Sequence, residues 1–252
     1  MRKTEDKHLF AVFMGNLFAQ KKPRKDAVIT ITDQDLVRRI VTVLRMLIGE
    51  ELQLFDDHDY YLAKITDIKK NKAITLQIIS VAPNPKPKLE INFLLPLLKK
   101  EALEETIYSL TEIGVSSIQL LITDKSQKNL SDKEVARLKK IQIAAAEQSK
   151  YFSMPKIAAP IILEKFCTED NLNGMPALLF DPAGKSVLEL LTEIRQKKIF
   201  KVFCAIGPEG GLTPNETQLL VRYGFKMCKL TSTTLRALQA AAVGAGLLAS
   251  IL

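Results

Sequence analysis

Two short stretches near the C-terminal end hold the residue types best suited to chemistry. The first is Gly207-Pro208-Glu209-Gly210-Gly211. Its glycines permit positive φ and let a ligand approach the backbone closely, and Pro208 stiffens the turn. Glu209 is its only charged side chain. It either shapes the turn through nearby backbone N–H groups or contacts a ligand. The second stretch, Thr231-Ser232-Thr233-Thr234, offers hydroxyls and amides. These either cap the helix that follows or line a pocket. The first stretch is neither a Walker loop nor a GxGxxG fingerprint, so phosphate cradling is not the chemistry it suggests. His8 and His58 lie far away and have no Ser or Cys partner pattern, so each reads as a surface or core residue. Cys167, Cys204 and Cys228 lack metal-ligand spacing. They read as reduced thiols, two of them inside apolar runs.

The elements around these stretches follow from hydrophobic pattern. Lys201–Ile206 is a buried strand ending on the glycine loop. Thr213, Pro214 and Glu216 open a helix with a capping box, and Gly224 closes it. Phe225–Leu230 is a second strand ending on the hydroxyl loop, followed by a helix of small residues from Leu235 to Leu252. Upstream, Leu89–Leu95, Ser116–Ile122 and Ala177–Phe180 read as strands. The last stops at Asp181-Pro182. Lys99–Ile113, Ser131–Ser149 and Val187–Gln196 read as helices. Such alternation predicts an α/β fold with a largely parallel sheet and helices on both faces. Ligands in that architecture bind beyond the carboxyl ends of strands, where the two loops sit.

The first 81 residues have a different rhythm. His8–Phe18 is a mixed apolar stretch. Ala27–Ile31, Glu51–Leu54, Tyr60–Ile68 and Ala73–Val81 read as strands. Asp33 or Asp35 caps a helix carrying Val37, Ile40, Val41 and Leu44 at helical spacing. Ala82–Lys88, with Pro83, Pro85 and Pro87, reads as a linker to a second domain over residues 89–252. The formal net charge of +8 favours a polyanionic partner. Lys21, Lys22, Arg24, Lys25, Arg38, Arg39 and Arg45 form a basic set able to contact RNA phosphates, or simply a solvated face. The charged N-terminus lacks a signal-peptide apolar region. From Leu235 the apolar helix offers only about 18 residues, interrupted by Arg236 and Gln239, which suits packing rather than a membrane.

Ile206–Glu216 matches in full a strand followed by I-G-P-E-G-G-[FL]-[ST]-x-x-E, and so resembles the bacterial 16S ribosomal RNA (uracil-N3)-methyltransferases of the SPOUT class. Further likenesses are Val43-Leu44-Arg45, Leu54-Phe55-Asp56, Thr111-Glu112-Ile113-Gly114-Val115 and Ala145-Ala146-Glu147-Gln148-Ser149. The family pattern L-G-x-R-I-L-R-x-E-T-A is replaced by Leu230-Thr231-Ser232-Thr233-Thr234-Leu235-Arg236-Ala237-Leu238-Gln239-Ala240, which keeps only the second arginine, Arg236. Arg38 and Arg39 stand where the family has paired histidines, and Lys125 and Tyr151 where it has arginines.

The resemblance implies a PUA-like β-barrel RNA-binding domain (1–81) followed by a trefoil-knotted SPOUT methyltransferase domain. It implies a cytoplasmic homodimer that uses S-adenosyl-L-methionine to methylate uridine N3 in small-subunit ribosomal RNA or the 30S subunit. No metal is implied. The expected cofactor loops are Phe180-Asp181-Pro182, then Ile206, Gly207, Pro208, Glu209, Gly210 and Gly211, then Leu230–Leu235 with Ser232, Thr233 and Thr234. Uridine N3 must lose a proton before it attacks, so a base or an anion-stabilising cation is needed. Arg236 is the candidate for anion stabilisation. Glu209 is the candidate for shaping the loop, with base work the lesser alternative. An RNA-binding protein on the same scaffold, with reduced or lost methyl transfer, is the rival reading.

Overall fold

A computed structural model describes residues 9–15, 17–18, 22–70, 72–169 and 171–251. The described chain divides into two compact units. One holds the residues up to Pro85 together with Ala146–Ser153; the other holds Lys86–Ala145 and the residues from Met154 onward.

The first unit is built on β1 (Phe10–Phe13), β2 (Val28–Ile31), β3 (Glu51–Phe55), β4 (Asp59–Lys69) and β5 (Ala73–Pro83). They form a five-stranded sheet in the order β1-β3-β4-β5-β2. The β1–β3 pair is parallel and the other pairs are antiparallel. Alternation along the strands sends Leu52, Leu54, Tyr61, Ala63, Ile65, Ile74, Leu76 and Ile78 into one core. Helix α1 (Gln34–Val37) starts where Asp33 accepts a bond from the Leu36 N–H (2.9 Å). It continues as a π-helical turn, Arg38–Val43, which buries Ile40 beside Val37. β1 lies inside the stretch read as merely mixed; four residues are too few for a period to show. β5 runs on through Ala82 and Pro83, because Asp59 at the start of β4 still pairs with Pro83. A proline can close a strand, where its missing N–H costs little. The segment Ala146–Ser153 also belongs to this unit. The Phe152 ring lies 4.7 Å from Phe55 and 5.2 Å from Tyr60. Glu147 accepts the Phe13 N–H (3.1 Å) and pairs with Arg39.

The second unit carries β6 (Glu90–Pro96), α2 (Lys100–Ile113), β7 (Ser117–Ile122), α3 (Asp132–Ser149, whose last turn belongs to the first unit), β8 (Lys156–Ile162) and α4 (Leu163–Phe166). It continues with β9 (Ala177–Ser186), α5 (Val187–Gln196), β10 (Lys201–Ile206), α6 (Pro214–Tyr223), β11 (Phe225–Lys229) and α7 (Ala237–Ala249). The sheet order is β11-β9-β10-β6-β7-β8, and every described pair is parallel. Period-2 alternation splits each central strand between two cores. Ile91, Phe93, Leu178, Val202, Cys204 and Ile206 pack with α2, α3, α5 and α7. Leu94, Ala177, Leu179, Phe203 and Ala205 pack with α4 and α6. The sheet is therefore covered on both faces, as parallel sheets require.

Several features of the second unit differ from the sequence reading. β8 was not expected, because Pro160 interrupts its apolar run; it is an edge strand, where proline is tolerated. β9 does not stop at Asp181-Pro182 but extends to Ser186. The last helix begins at Ala237, with Arg236 at its N-cap.

Candidate active site

Three loops meet at one edge of the sheet: a bow within β9 and the loops beyond the carboxyl ends of β10 and β11. The first arises from a break in strand register. Met227 pairs with Leu179, but the next residue, Cys228, pairs with Lys185. Phe180–Gly184 are thus skipped by β11 and form a bow. Asp181 Oδ1 accepts the Ala183 N–H (2.8 Å) and holds the bow's shape. A Cβ on Gly184 would lie 2.4 Å from the backbone nitrogen of Cys228, so this crossing needs glycine. Phe180 is buried against α7, where a Cβ on Gly244 would come within 2.2 Å of its ring. The small residues of α7 are accounted for here by close packing.

The second loop is braced by side chains. Glu209 Oε1 accepts the Lys99 N–H (3.0 Å). Lys99 is the N-cap of α2 and has no side-chain cap of its own, so Glu209 supplies an acceptor to that helix terminus. Lys125 Nζ donates to the Gly210 carbonyl (3.0 Å). Gly211 closes the turn on Pro208 (2.8 Å) at φ +70°. The expected capping box is present: Thr213 accepts from Glu216 N (3.3 Å), and Glu216 Oε2 accepts from Thr213 N (2.8 Å). Glu216 is only 2% exposed, and its Oε1 accepts the Asp124 N–H (2.7 Å). A carboxylate read as a helix cap therefore also fixes the loop after β7.

The third loop is held mainly from within, by Thr231 Oγ1 donating to the Thr233 carbonyl (2.7 Å). Arg236 follows with extended backbone (ψ 157°) and an exposed side chain.

These loops and α2 enclose a cavity of about 670 Å³. Phe180, Asp181, Pro182, Ile206, Gly207, Pro208, Glu209, Gly211, Thr234, Leu235 and Arg236 all line it. Leu230 and Thr233 line a small adjoining cleft that shares Phe180, Asp181, Pro182 and Leu235. Gly210 and Ser232 are among the lining residues of neither; the position of Gly210 is filled by Lys125. Sequence reasoning missed Glu101 and Glu105, one helical turn apart on α2, and Leu238 and Gln239 on α7. Only the spacing of the two glutamates was visible beforehand.

The described members of the basic set lie in the first unit, and none of them lines the cavity. Lys22 pairs with Asp59, and Arg39 with Glu147. Arg24, Lys25, Arg38 and Arg45 are exposed. Lys21 and His8 lie outside the described residues. His58 is exposed, and its N–H is taken by Asp56 Oδ1 (2.7 Å). Cys204 and Cys228 are buried and free, and Cys167 is half-buried. Burial pushes the Cys228 thiol up to about 12 and the Cys167 thiol up to about 11, which makes them inert at neutral pH. No described helix is long and apolar enough to cross a membrane.

A parallel sheet with helices on both faces, and a ligand-sized cavity at its carboxyl edge, defines an α/β ligand-binding domain. Comparison with known proteins narrows this class. A model described as an RNA methyltransferase domain matches residues 84–249, and one described as an RNA methyltransferase PUA domain matches residues 31–79. The Ribosomal RNA small subunit methyltransferase E of Buchnera aphidicola subsp. Acyrthosiphon pisum is 32% identical over 204 residues, 78% of each chain. Its namesake from Rickettsia conorii is 28% identical over 90% of this chain and 91% of that one. A solved Legionella pneumophila methyltransferase with bound cofactor SAM superimposes with a TM-score of 0.77, at 25% identity, over 95% of this chain and 96% of that one. The chain belongs to the ribosomal RNA small subunit methyltransferase E family, which is of the SPOUT class.

Proposed function

We propose that this protein methylates N3 of a uridine in small-subunit ribosomal RNA, using S-adenosylmethionine. The observation that carries the reading is the three-loop cavity with Arg236 at its wall. The residues present suit that cofactor. Phe180, Ile206, Leu235 and Leu238 offer apolar surface to a nucleoside. The main-chain groups of the loops offer hydrogen bonds without demanding particular side chains, so replacement of the family's polar residues over Leu230–Ala240 is compatible with binding. Glu101 and Glu105 bring negative charge to a ligand that is cationic. When bound, the cofactor supplies a methyl group on a sulfonium centre.

The rest of the chemistry falls to the protein. Once N3 has released its proton to solvent water, Arg236 stabilises the uridine anion left behind, because a fixed cation at a partly enclosed site lowers the cost of developing negative charge. Glu209 serves by position: its carboxylate is engaged with the α2 terminus, which favours loop shaping over base work. The first unit binds RNA through its exposed cations Arg24, Lys25, Arg38 and Arg45. Arg39 and Lys22, being paired, serve its structure. The reading extends to a knotted C-terminal passage around the long bow of β9, a homodimer with the site near the subunit contact, and action on the 30S subunit in the cytoplasm.

The test is incubation with 30S subunits and labelled cofactor, followed by mapping of modified nucleotides by mass spectrometry. One N3-methylated uridine is expected. Salt-sensitive RNA binding with no methyl transfer, and no calorimetric signal with S-adenosylmethionine, would replace this reading with that of an RNA-binding protein on a methyltransferase scaffold.

A further inference from the structure

The second unit has another cavity, at the opposite edge of its sheet. It measures about 560 Å³ and is framed by the amino-terminal ends of β9 and β10, the C-terminal end of α5, and the turn before β11. β10 is six residues long, so at about 3.3 Å per residue this edge lies about 20 Å from the loops of the candidate active site. The two cavities share no lining residue.

Its chemistry is basic and aromatic. Lys197, Lys198 and Lys226 line it, and Phe200 stands at its rim with 71% of its surface exposed. Glu193 is the only acidic residue among the described lining residues. It is shared between Lys197 (2.8 Å) and Lys226 (3.5 Å), and hydrogen bonding from Lys197 holds its carboxyl below the usual range. One carboxylate thus faces two ammonium groups, and Lys198 adds an exposed third at the left-handed φ of +51°. The Glu90 N–H donates to the Phe200 carbonyl (2.7 Å), so the exposed Glu90 stands beside Phe200 as a second carboxylate, with the exposed Lys88 two residues before it in the chain. An exposed aromatic face amid excess positive charge suits a ligand with both a planar π surface and a polyanionic backbone.

We propose that this edge is a second RNA-contact site, at which Phe200 stacks on an unpaired base while Lys197, Lys198 and Lys226 hold the flanking phosphates. It rests on the reading of the protein as an RNA methyltransferase, and it adds a contact remote from the methyl-transfer cavity. Such a contact sets where a large RNA lies on the protein without touching the target base.

The protein contains no tryptophan, so F200W installs a single reporter at an exposed position. Titration of full-length F200W with a single-stranded 16S RNA oligonucleotide is expected to quench its fluorescence at concentrations matching RNA binding by anisotropy, and higher salt should weaken both. The double variant K198E/F200A is expected to raise Kd and KM for RNA about tenfold, with kcat and the S-adenosylmethionine Kd unchanged. Anisotropy showing RNA bound while F200W stays silent, or a K198E/F200A Kd within twofold of the parent, overturns the proposal and leaves the methyltransferase reading standing. A fluorescence change that follows protein concentration instead of RNA assigns the edge to a second copy and also overturns it. Failure of the unaltered protein to bind both the oligonucleotide and 30S subunits removes the reading of an RNA-acting enzyme, and this inference with it.

Discussion

The second and third loops of the cavity use polar residues in opposite ways. In the loop after β10 and the first turn of α6, both carboxylates are tied to backbone N–H groups: Glu209 to Lys99 N, and Glu216 to Thr213 N and Asp124 N. In the loop after β11, the Thr231 hydroxyl bonds within the loop, and Arg236 stays exposed. The stretch that best identifies the family is therefore largely scaffold. The stretch that departs from the family keeps Arg236, the only cation among the described residues that line the main cavity. A motif is specific in sequence when many geometric demands fall on it at once, and those demands need not be catalytic.

The comparison is broken most directly at Arg236. R236A is expected to lower single-turnover methylation by about a hundredfold or more, the range seen when one charge-stabilising donor is lost. Thermal stability and the S-adenosylmethionine Kd should hold; an unchanged rate would move the chemistry elsewhere. Next comes the buried brace. E216A strands two backbone N–H groups and removes a cap, at a cost of about 2–3 kcal/mol, seen as a lower urea midpoint. If stability were unaffected, the description of the second loop as scaffold would fail. E209Q retains an acceptor for the Lys99 N–H but not the charge. It should cost about 1 kcal/mol or less and leave kcat within a few fold. A collapse of kcat with normal stability would instead restore Glu209 as a base. The smallest effect belongs to T231V, which removes an exposed hydrogen bond worth about 0.5–1 kcal/mol. Activity near that of the parent would show that the third loop works through its main chain.

Much of this was legible in the residues alone. The β10 strand, the glycine turn and the α6 capping box are local events, set by period-2 burial, by φ preferences and by bonds spanning three residues, so Thr213 and Glu216 announce them. The parallel sheet followed from the alternation of elements. β1 and β8 were not legible. Each becomes a strand because a distant partner, β3 or β7, supplies its hydrogen bonds.

The amino-acid sequence thus determined the family, the order of the main elements and the loops that wall the cavity, because short-range geometry and period-2 or helical burial leave local traces. Tertiary structure alone decided which polar groups remained available. Nothing near Glu209 in the chain reveals that Lys99 will use its carboxylate, nothing near Arg39 reveals Glu147, and nothing near Gly184 reveals the passing backbone of Cys228. Each of these pairings joins residues far apart along the chain, and the free energy that selects them exists only once the strands have been brought side by side.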